Sequence, residues 1–175
     1  MPAEMGTPPV AAPPGSEARS VKIRPATPGD CRAFWEWRND PGTRAVAFDP
    51  TPIPYDVHVA WFGRKLHDPA TRMAVVVTAD GRDIGYVRCE VADGIGEISV
   101  VLAAAEQGKG VGPRALGAAA AWLLEDRAVT RLRAHVLAGN PRSRRAFERA
   151  GFVEHGPPAV VRGEEVHELT MERTR

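Results

Sequence analysis

The sequence has few cysteines, no long apolar stretch and almost no net charge, and each of these shortages excludes a class of protein. Cys31 and Cys89 are its only cysteines, which is too few for a disulfide framework or a cysteine-rich zinc site. No apolar stretch approaches the roughly 20 residues that a membrane-spanning helix needs. The 23 basic and 22 acidic residues give a formal charge of +1, without the basic excess typical of an obligate nucleic-acid binder. We therefore expect neither a membrane nor a nucleic acid as a partner.

The N-terminal segment also lacks the basic and then apolar pattern of a secretory signal. Together with two cysteines, which fit a reducing compartment, this predicts a cytoplasmic protein. Residues 1–20 hold five of the 16 prolines, with Ala, Gly and Ser between them. Such a segment buries too little apolar surface to offset the entropy of ordering it, so we expect a disordered tail. Residues 21–175 have the length of one domain.

The apolar periodicity from residue 21 onward predicts a mixed α/β (α+β) domain. Strands are predicted over residues 21–24, 72–79, 83–91, 97–102, 131–137, 152–153 and 166–171. Helices are predicted over residues 28–39, 55–67, 113–126 and 140–150. The turn signals Asp80-Gly81 and Asp93-Gly94 join three of the strands into an antiparallel meander.

A glycine-rich loop, Gln-Gly-Lys-Gly-Val-Gly at residues 107–112, connects the strand at 97–102 to the helix at 113–126. Glycines let the backbone approach a ligand closely, and a helix N-terminus presents unpaired N–H groups to an anion. Lys109 adds a positive charge, so the loop predicts a phosphate site. The Walker spacing fails because Pro113-Arg114 stands where Gly-Lys is required, and the dinucleotide-binding spacing is not matched either.

The spacing of Gln107, Gly110 and Gly112 resembles the acetyl-CoA pyrophosphate loop of the GNAT acetyltransferase superfamily. One strand later, residues 140–152 read Asn-Pro-Arg-Ser-Arg-Arg-Ala-Phe-Glu-Arg-Ala-Gly-Phe and resemble that family's Asn-x-x-Ser/Ala…Phe/Tyr-Glu-x-x-Gly-Phe segment. The resemblance covers residues 21–173. It implies the GNAT fold, a central mixed but mostly antiparallel sheet with helices on both faces. It also implies a V-shaped opening between the strands at 97–102 and 131–137.

The resemblance further implies an acetyl-CoA site and no metal. The main chain of residues 100–102 would pair with the pantetheine arm, and the amides of the loop would hold the pyrophosphate. Asn140, Ser143 and Phe147 would contact the arm, while Arg142 or Arg145 would reach the adenosine 3′-phosphate. The implied cofactor residues are Val100, Val101, Leu102, Gln107, Gly108, Lys109, Gly110, Val111, Gly112, Asn140, Arg142, Ser143, Arg145 and Phe147. Asn140 also fits a helix N-cap, and the arginines also fit a solvated helix face.

The implied chemistry is direct attack of a neutral amine on the thioester in a ternary complex. A base must take a proton from the amine, and a backbone N–H must polarise the carbonyl. Glu97 is the candidate base, acting directly or through water, although a carboxylate paired across the sheet is the alternative reading. Many family members have a tyrosine that protonates the thiolate where this chain has Phe147, which cannot donate. The proton then comes from another group or from water, or the thiolate leaves unassisted.

The segments at residues 35–44 and 58–62 resemble a subgroup that acetylates nucleotide-linked amino sugars, and ribosomal-protein N-terminal acetyltransferases share a looser version. The substrate-binding candidates are Trp37, Arg38, Asn39, Arg44 and His58. Arginines suit an anionic group, and aromatic rings suit a base or a sugar. The aromatic residues and His58 also fit a purely structural role.

The sequence therefore predicts an acetyl-CoA-dependent N-acetyltransferase that acts on the primary amine of a small molecule, with an amino sugar as the first candidate. Two alternatives stay open. One is a protein N-terminal acetyltransferase, and the other is a catalytically silent acyl-CoA-binding domain, which the missing tyrosine suggests. Exposed strand edges in this fold often support dimers, so a homodimer is a further candidate.

Overall fold

The computed structural model describes residues 20–174, in which eight strands form one sheet. The strands are β1 (Val21–Pro25), β2 (Thr71–Thr78), β3 (Asp83–Ala92), β4 (Ile95–Leu102), β5 (Arg131–Leu137), β6 (Val153–Glu154), β7 (Ala159–Val161) and β8 (Glu164–Glu172). The helices are α1 (Cys31–Asn39), α2 (Pro41–Arg44), α3 (Tyr55–Leu66), α4 (Val111–Glu125) and α5 (Pro141–Arg149). The strand order is β1-β2-β3-β4-β5-β8-β6, and β7 pairs with β8 beside it. All but Ser20 of the predicted tail lies outside the described residues.

Two cores lie on opposite faces of this sheet. On one face, α4 and α5 pack against β5 through residues such as Leu116, Phe147 and Leu132. On the other face, α1 and α3 place Phe34 and Phe62 against β2 and β3. Successive side chains of a strand point to opposite faces, so β4 contributes Ile98, Val100 and Leu102 to the first core and Val101 to the second. Helices on both faces confirm the predicted architecture.

The strands β4 and β5 are the only parallel neighbours in the described sheet, and they pair over a short length. Ile95–Glu97 pair with Arg131–Arg133. Beyond that point, β4 pairs only with β3 as far as Leu102, and β5 pairs only with β8. The two strand edges that part here carry main-chain N–H and C=O groups without a strand partner. The predicted V-shaped opening is therefore present, closed at Glu97 and open at Leu102.

Two short elements are absent from the sequence prediction. The helix α2 lies between the helices predicted at 28–39 and 55–67, and its start is capped by Asp40 as it accepts from the Thr43 N–H at 3.1 Å. The strand β7 lies between the strands predicted at 152–153 and 166–171, and it reaches β8 through Arg162 and Gly163 at φ of 55° and 85°. These angles suit a tight hairpin turn. Both elements are too short for an apolar period to reveal them.

Within residues 20–174, none of the helices combines the length and the apolar character required to cross a bilayer.

Candidate active site

The glycine-rich segment at residues 107–112 follows the open end of the V. Its last two residues, Val111 and Gly112, already form the first turn of α4, so the helix begins two residues before the predicted start at 113. Gly108 and Gly110 have φ of 81° and 74°, a region that side chains other than glycine rarely adopt. A Cβ at either position would meet nothing within 4 Å, so the backbone angle rather than space requires glycine. The Gln107 side chain donates to the Leu102 carbonyl at 3.0 Å and so fixes the loop to the end of β4. The first amides of α4 lack acceptors within the helix, and they lie beside this gap.

Positive charge stands at the same loop. The Lys109 side chain is 60% exposed, and its Nζ lies 3.8 Å from Glu106 Oε2. Glu106 is largely buried and also meets Arg82 across 3.3 Å. Glu106 therefore links the loop to the β2–β3 hairpin and leaves the Lys109 ammonium in solvent, where it can meet an anion.

The helix α5 packs against the start of α4. Asn140 Oδ1 accepts from the Ser143 N–H at 3.1 Å, so Asn140 is the N-cap of α5. Its side-chain NH₂ group has no partner among the described residues. A Cβ on Gly112 would lie 3.6 Å from the Ala146 Cβ, which shows how closely the two helices approach. Arg142 and Arg145 are both exposed on α5.

Phe147 belongs to the core rather than to an open groove. It is 6% exposed, and its ring lies edge-on to Phe152 with centroids 5.0 Å apart. Neither tyrosine of the chain is on α5: Tyr55 begins α3, and Tyr86 is buried in the second core, where desolvation raises its pKa. The placement of Phe147 favours packing over contact with a ligand. How the leaving thiolate is protonated stays a prediction.

Glu97 occupies the last paired position before the V opens, directly opposite Arg133. Its side chain is 43% exposed. Glu97 Oε2 lies 3.3 Å from an Arg133 guanidinium nitrogen, and Oε1 lies 3.6 Å from His135 Nδ1. Glu97 shares its sheet face with Val101 and hence with α1 and α3. The carboxylate is thus both paired across the sheet and open to solvent at the closed end of the V.

The predicted substrate residues Arg38, Asn39 and Arg44 hold the proline-rich loop at residues 49–54. Asn39 clamps Ile53, accepting from its N–H at 2.8 Å and donating to its carbonyl at 3.0 Å. Arg38 donates to the Asp49 carbonyl at 2.7 Å. Arg44 donates to the carbonyls of Asn39 and Pro50 at 3.1 and 3.0 Å. These bonds give all three side chains a structural role, and their contact with a substrate stays a prediction.

Trp37 and His58 lie on the face of the sheet that carries α1 and α3, beside the second core. The Trp37 ring neighbours those of Phe34 and Tyr86. His58 is 3% exposed, its Nε2 lies 3.0 Å from the Cys31 carbonyl oxygen, and burial lowers its pKa. This placement favours packing over contact with a substrate for both residues.

Two features of this site were missed by the sequence analysis. Arg133 and His135 join Glu97 only through the parallel register of β4 and β5, which no local pattern encodes. A groove of about 310 Å³ also lies beside the open V. It is lined by Ala45, Val46, Leu137, Ala138, Gly139, Asn140, Glu164 and Glu165.

The described residues contain no cluster of three or more His, Cys, Asp or Glu side chains that could hold a metal ion.

Known structures resemble this arrangement. The spermidine N-acetyltransferase of Vibrio cholerae, in complex with CoA and spermine, is 23% identical over 88% of this chain and 96% of its own, with a TM-score of 0.77. The aminoglycoside acetyltransferase AAC(6')-Ib, in complex with CoA and kanamycin, is 22% identical over 88% and 95%, with a TM-score of 0.76. The same enzyme with paromomycin and acetyl-CoA gives a TM-score of 0.77 at 22% identity, over 88% and 94%. Likeness at this identity shows a shared fold.

Sequence comparison is more specific. No curated protein sequence matches the chain. The family profile described as an acetyltransferase (GNAT) domain matches residues 20–153, which run from the start of β1 to the start of β6 and include the loop, the V and α5. The chain therefore belongs to the GNAT acetyltransferase domain family.

Proposed function

We propose that this protein transfers the acetyl group of acetyl-CoA to the primary amine of a small molecule. The observation that carries the proposal is the gap between β4 and β5. Unpaired main-chain groups line it, the amides of residues 107–112 stand at its open end, and Glu97 stands at its closed end. This spatial order of groups suits an elongated ligand with an anionic end and a reactive end.

The residues present fit acetyl-CoA at each point. Amides at the start of α4, with the exposed Lys109, suit the pyrophosphate. The free edge of Val100–Leu102 suits hydrogen bonds to the amide-containing arm, and the Asn140 NH₂ group is available to the same arm. Arg142 and Arg145 are exposed near that end for a further phosphate. The bound cofactor would supply the acetyl thioester.

Glu97 would take the proton that the attacking amine must lose. Most primary amines are ammonium ions at neutral pH, and an ammonium nitrogen has no lone pair with which to attack. A carboxylate at the closed end of the V is placed to accept this proton directly or through a water molecule.

The groove beside the V supports a cationic acceptor. Its charged lining residues are Glu164 and Glu165, and neither carboxylate has an ion-pair partner among the described residues. The arginines expected to bind an anionic group, Arg38 and Arg44, hold main-chain carbonyls instead. The structural neighbours were solved with kanamycin, paromomycin and spermine, which carry amino groups. Together these observations favour a small amine without a nucleotide group.

We also propose, from the sequence alone, that the protein is cytoplasmic and that it forms a homodimer.

The test is a thiol-release assay with acetyl-CoA and a panel of acceptors. The panel contains polyamines, aminoglycosides, nucleotide-linked amino sugars, amino acids and N-terminal peptides. We expect release that depends on an amine of one small-molecule class. Release with peptides alone would instead establish a protein N-terminal acetyltransferase. Binding of CoA without release from any acceptor would establish the silent acyl-CoA-binding domain.

A further inference from the structure

His135 lies between two carboxylates that belong to different strands. Its Nδ1 is 3.6 Å from Glu97 Oε1 on β4, and its Nε2 is 3.3 Å from Glu168 Oε2 on β8. The imidazole is nearly buried, with 11% of its side chain exposed, whereas Glu97 and Glu168 are 43% and 39% exposed. A single ring therefore connects the candidate base to a second carboxylate that reaches solvent.

The register places His135 on the wall of the V. Glu97 and Arg133 form the last pair between β4 and β5. Alternate residues of a strand share a face, so His135 is the first β5 side chain on this face after the strands part. A group that fills the closed end of the V is consequently flanked by Glu97 on one strand and by His135 on the other.

The surrounding charges distinguish Glu168 from its neighbours. Glu97 pairs with Arg133, and Glu172 pairs with Arg131. On β3, Glu90 faces Glu97 and pairs with cations of its own. Among the described residues, Glu168 has no ion-pair partner other than His135. A carboxylate without a permanent cation can accept a proton and return it to water.

We infer that His135 relays a proton from Glu97 to Glu168 during acetyl transfer, an inference that rests on the proposed function. An ammonium nitrogen carries three protons, and the amide product keeps one. As the N–C bond forms and the C–S bond breaks, one proton goes to the thiolate, so one must reach solvent. Glu97 takes that proton and passes it to Nδ1, while Nε2 gives its own proton to Glu168, which releases it to water. Exchange of the ring protons with water restores the first tautomer.

The longer of the two contacts is compatible with this role. A distance of 3.6 Å from Glu97 Oε1 to His135 Nδ1 is just beyond a direct hydrogen bond. Catalytic hydrogen bonds are often long before the substrate is bound and shorten in the complex. A bridging water molecule would serve the same step.

The test is the pH dependence of kcat/KM in three variants. His135→Gln keeps a polar side chain of similar size that cannot carry a proton, and we expect kcat/KM at neutral pH to fall at least about tenfold. The KM for acetyl-CoA should stay within about twofold, and the acidic limb of the profile should move. Added imidazole should restore part of the activity of His135→Ala. Glu168→Gln should change kcat/KM in the same direction as His135→Gln.

His67→Gln is the control, because this exposed ring caps the end of α3 on the Gly63 carbonyl. Unchanged kcat/KM and pH profile in His135→Gln would overturn the relay. So would a loss that is equal at every pH and that imidazole does not rescue, since a purely structural histidine predicts that result. If the His135 variants do not fold, Glu168→Gln decides by the same profile. Wild-type turnover is measured first. If the wild type shows no turnover, the proposed function is wrong. If the wild type turns over and the variants keep its kcat/KM and pH profile, only the relay is wrong.

Discussion

The two regions that we propose for acetyl-CoA and for the amine offer different kinds of chemical group. The cofactor half, which comprises the loop at 107–112 with α4 and α5, offers mainly backbone groups, set by glycine angles and helix starts. The acceptor half, which comprises α1–α3 and the loop at 45–54, is shaped by side chains that bond to loop carbonyls. Those side chains are Trp35, Arg38, Asn39 and Arg44. Backbone groups are the same for every residue, so the first half depends on conformation and the second on residue identity.

Substitutions in the two halves should therefore affect substrate binding in different ways. A change in the cofactor half should matter most where it alters a backbone angle or a helix cap, or where it removes one of the few side chains proposed to contact the cofactor, such as Lys109 or Asn140. A side-chain change in the acceptor half removes the hydrogen bond itself, so the loop loses a support. Variants in one half should therefore alter the KM for acetyl-CoA, and variants in the other should alter the KM for the amine.

The largest effect is expected where the two halves meet. Glu97→Gln removes the candidate base at the closed end of the V, so kcat should fall about 100-fold or more, within the usual range for a general base. Acetyl-CoA binding by calorimetry should be unchanged, because Glu97 is not among the groups that face the cofactor's phosphates. Glu36→Gln, an exposed glutamate paired with Arg32 on α1, is the matched control. If Glu97→Gln keeps the full kcat, Glu97 is not the general base.

The next effect concerns the clamp of the acceptor half. Asn39→Ala removes its own two hydrogen bonds to Ile53, each of which contributes about 1 kcal/mol, and leaves the bond from Trp35 to the same carbonyl. We expect the KM for the amine to rise up to about tenfold, because the loop at 49–54 loses two of its supports, with little change in the KM for acetyl-CoA. Steady-state kinetics with each substrate varied in turn measures both. An equal rise in both KM values would show that the two halves are not separate.

The other asparagine provides the reciprocal experiment. Asn140→Ala removes the N-cap of α5 and should lower the free energy of unfolding by about 1 kcal/mol, with a higher KM for acetyl-CoA. Asn140→Asp keeps the capping oxygen but loses the NH₂ group. If that group holds the cofactor, Asp should restore the thermal stability without restoring the KM for acetyl-CoA. If Asn140→Asp restores both the thermal stability and the KM for acetyl-CoA, Asn140 acts only as the N-cap of α5.

A smaller effect should follow from the backbone angle at the phosphate loop. Gly110→Ala places a Cβ on a residue at φ 74°, where nothing else obstructs it, and the left-handed conformation costs about 1 kcal/mol or slightly more. We expect acetyl-CoA to bind up to about tenfold more weakly by calorimetry. Gly117→Ala makes the same change inside α4, again in open space, and should stabilise the protein by about 0.5–1 kcal/mol. Equal binding by the two variants would contradict a role for the Gly110 angle.

The smallest effect is a pH dependence on the acceptor side. Hydrogen bonds from the Arg24 guanidinium lower the pKa of Asp30, the first residue before α1. This pair therefore stabilises the folded protein above the unfolded Asp pKa of about 3.9, and its contribution disappears as the pH falls through the lower folded value. Asp30→Asn should cost less than about 1 kcal/mol, because Arg24 is partly exposed. In denaturant unfolding, this difference should be largest at pH 7 and should shrink as the pH falls below about 3.9; a constant difference would exclude the ion pair as its cause.

The same contrast explains how much could be predicted from the sequence. The strand at 131–137 was predicted with its observed bounds, and the loop at 107–112 and the cap at Asn140 were located by local patterns. Glycines before a helix and an asparagine at its start act through neighbours a few residues away. A short window of sequence therefore contains their causes, and the opening between β4 and β5 followed from the family resemblance.

The acceptor half depends on contacts between distant residues. Nothing near Asn39 or Arg44 indicates that they bind main-chain groups of residues 50–53. The same holds for His58, which is buried against Cys31 at the start of α1. Arg133 and His135 meet Glu97 only through a register between strands that are more than 30 residues apart in the chain. Such pairings are decided by tertiary packing, which a local pattern does not contain.

The most direct test of the account is a nuclear magnetic resonance titration of the ¹⁵N-labelled protein, first with acetyl-CoA and then with the amine found by the thiol-release assay. We expect acetyl-CoA to shift the backbone amide signals of residues 107–112 and of Val100–Leu102, and to leave those of residues 45–54 in place until the amine is added. Amide signals at 107–112 that do not respond to acetyl-CoA would contradict it.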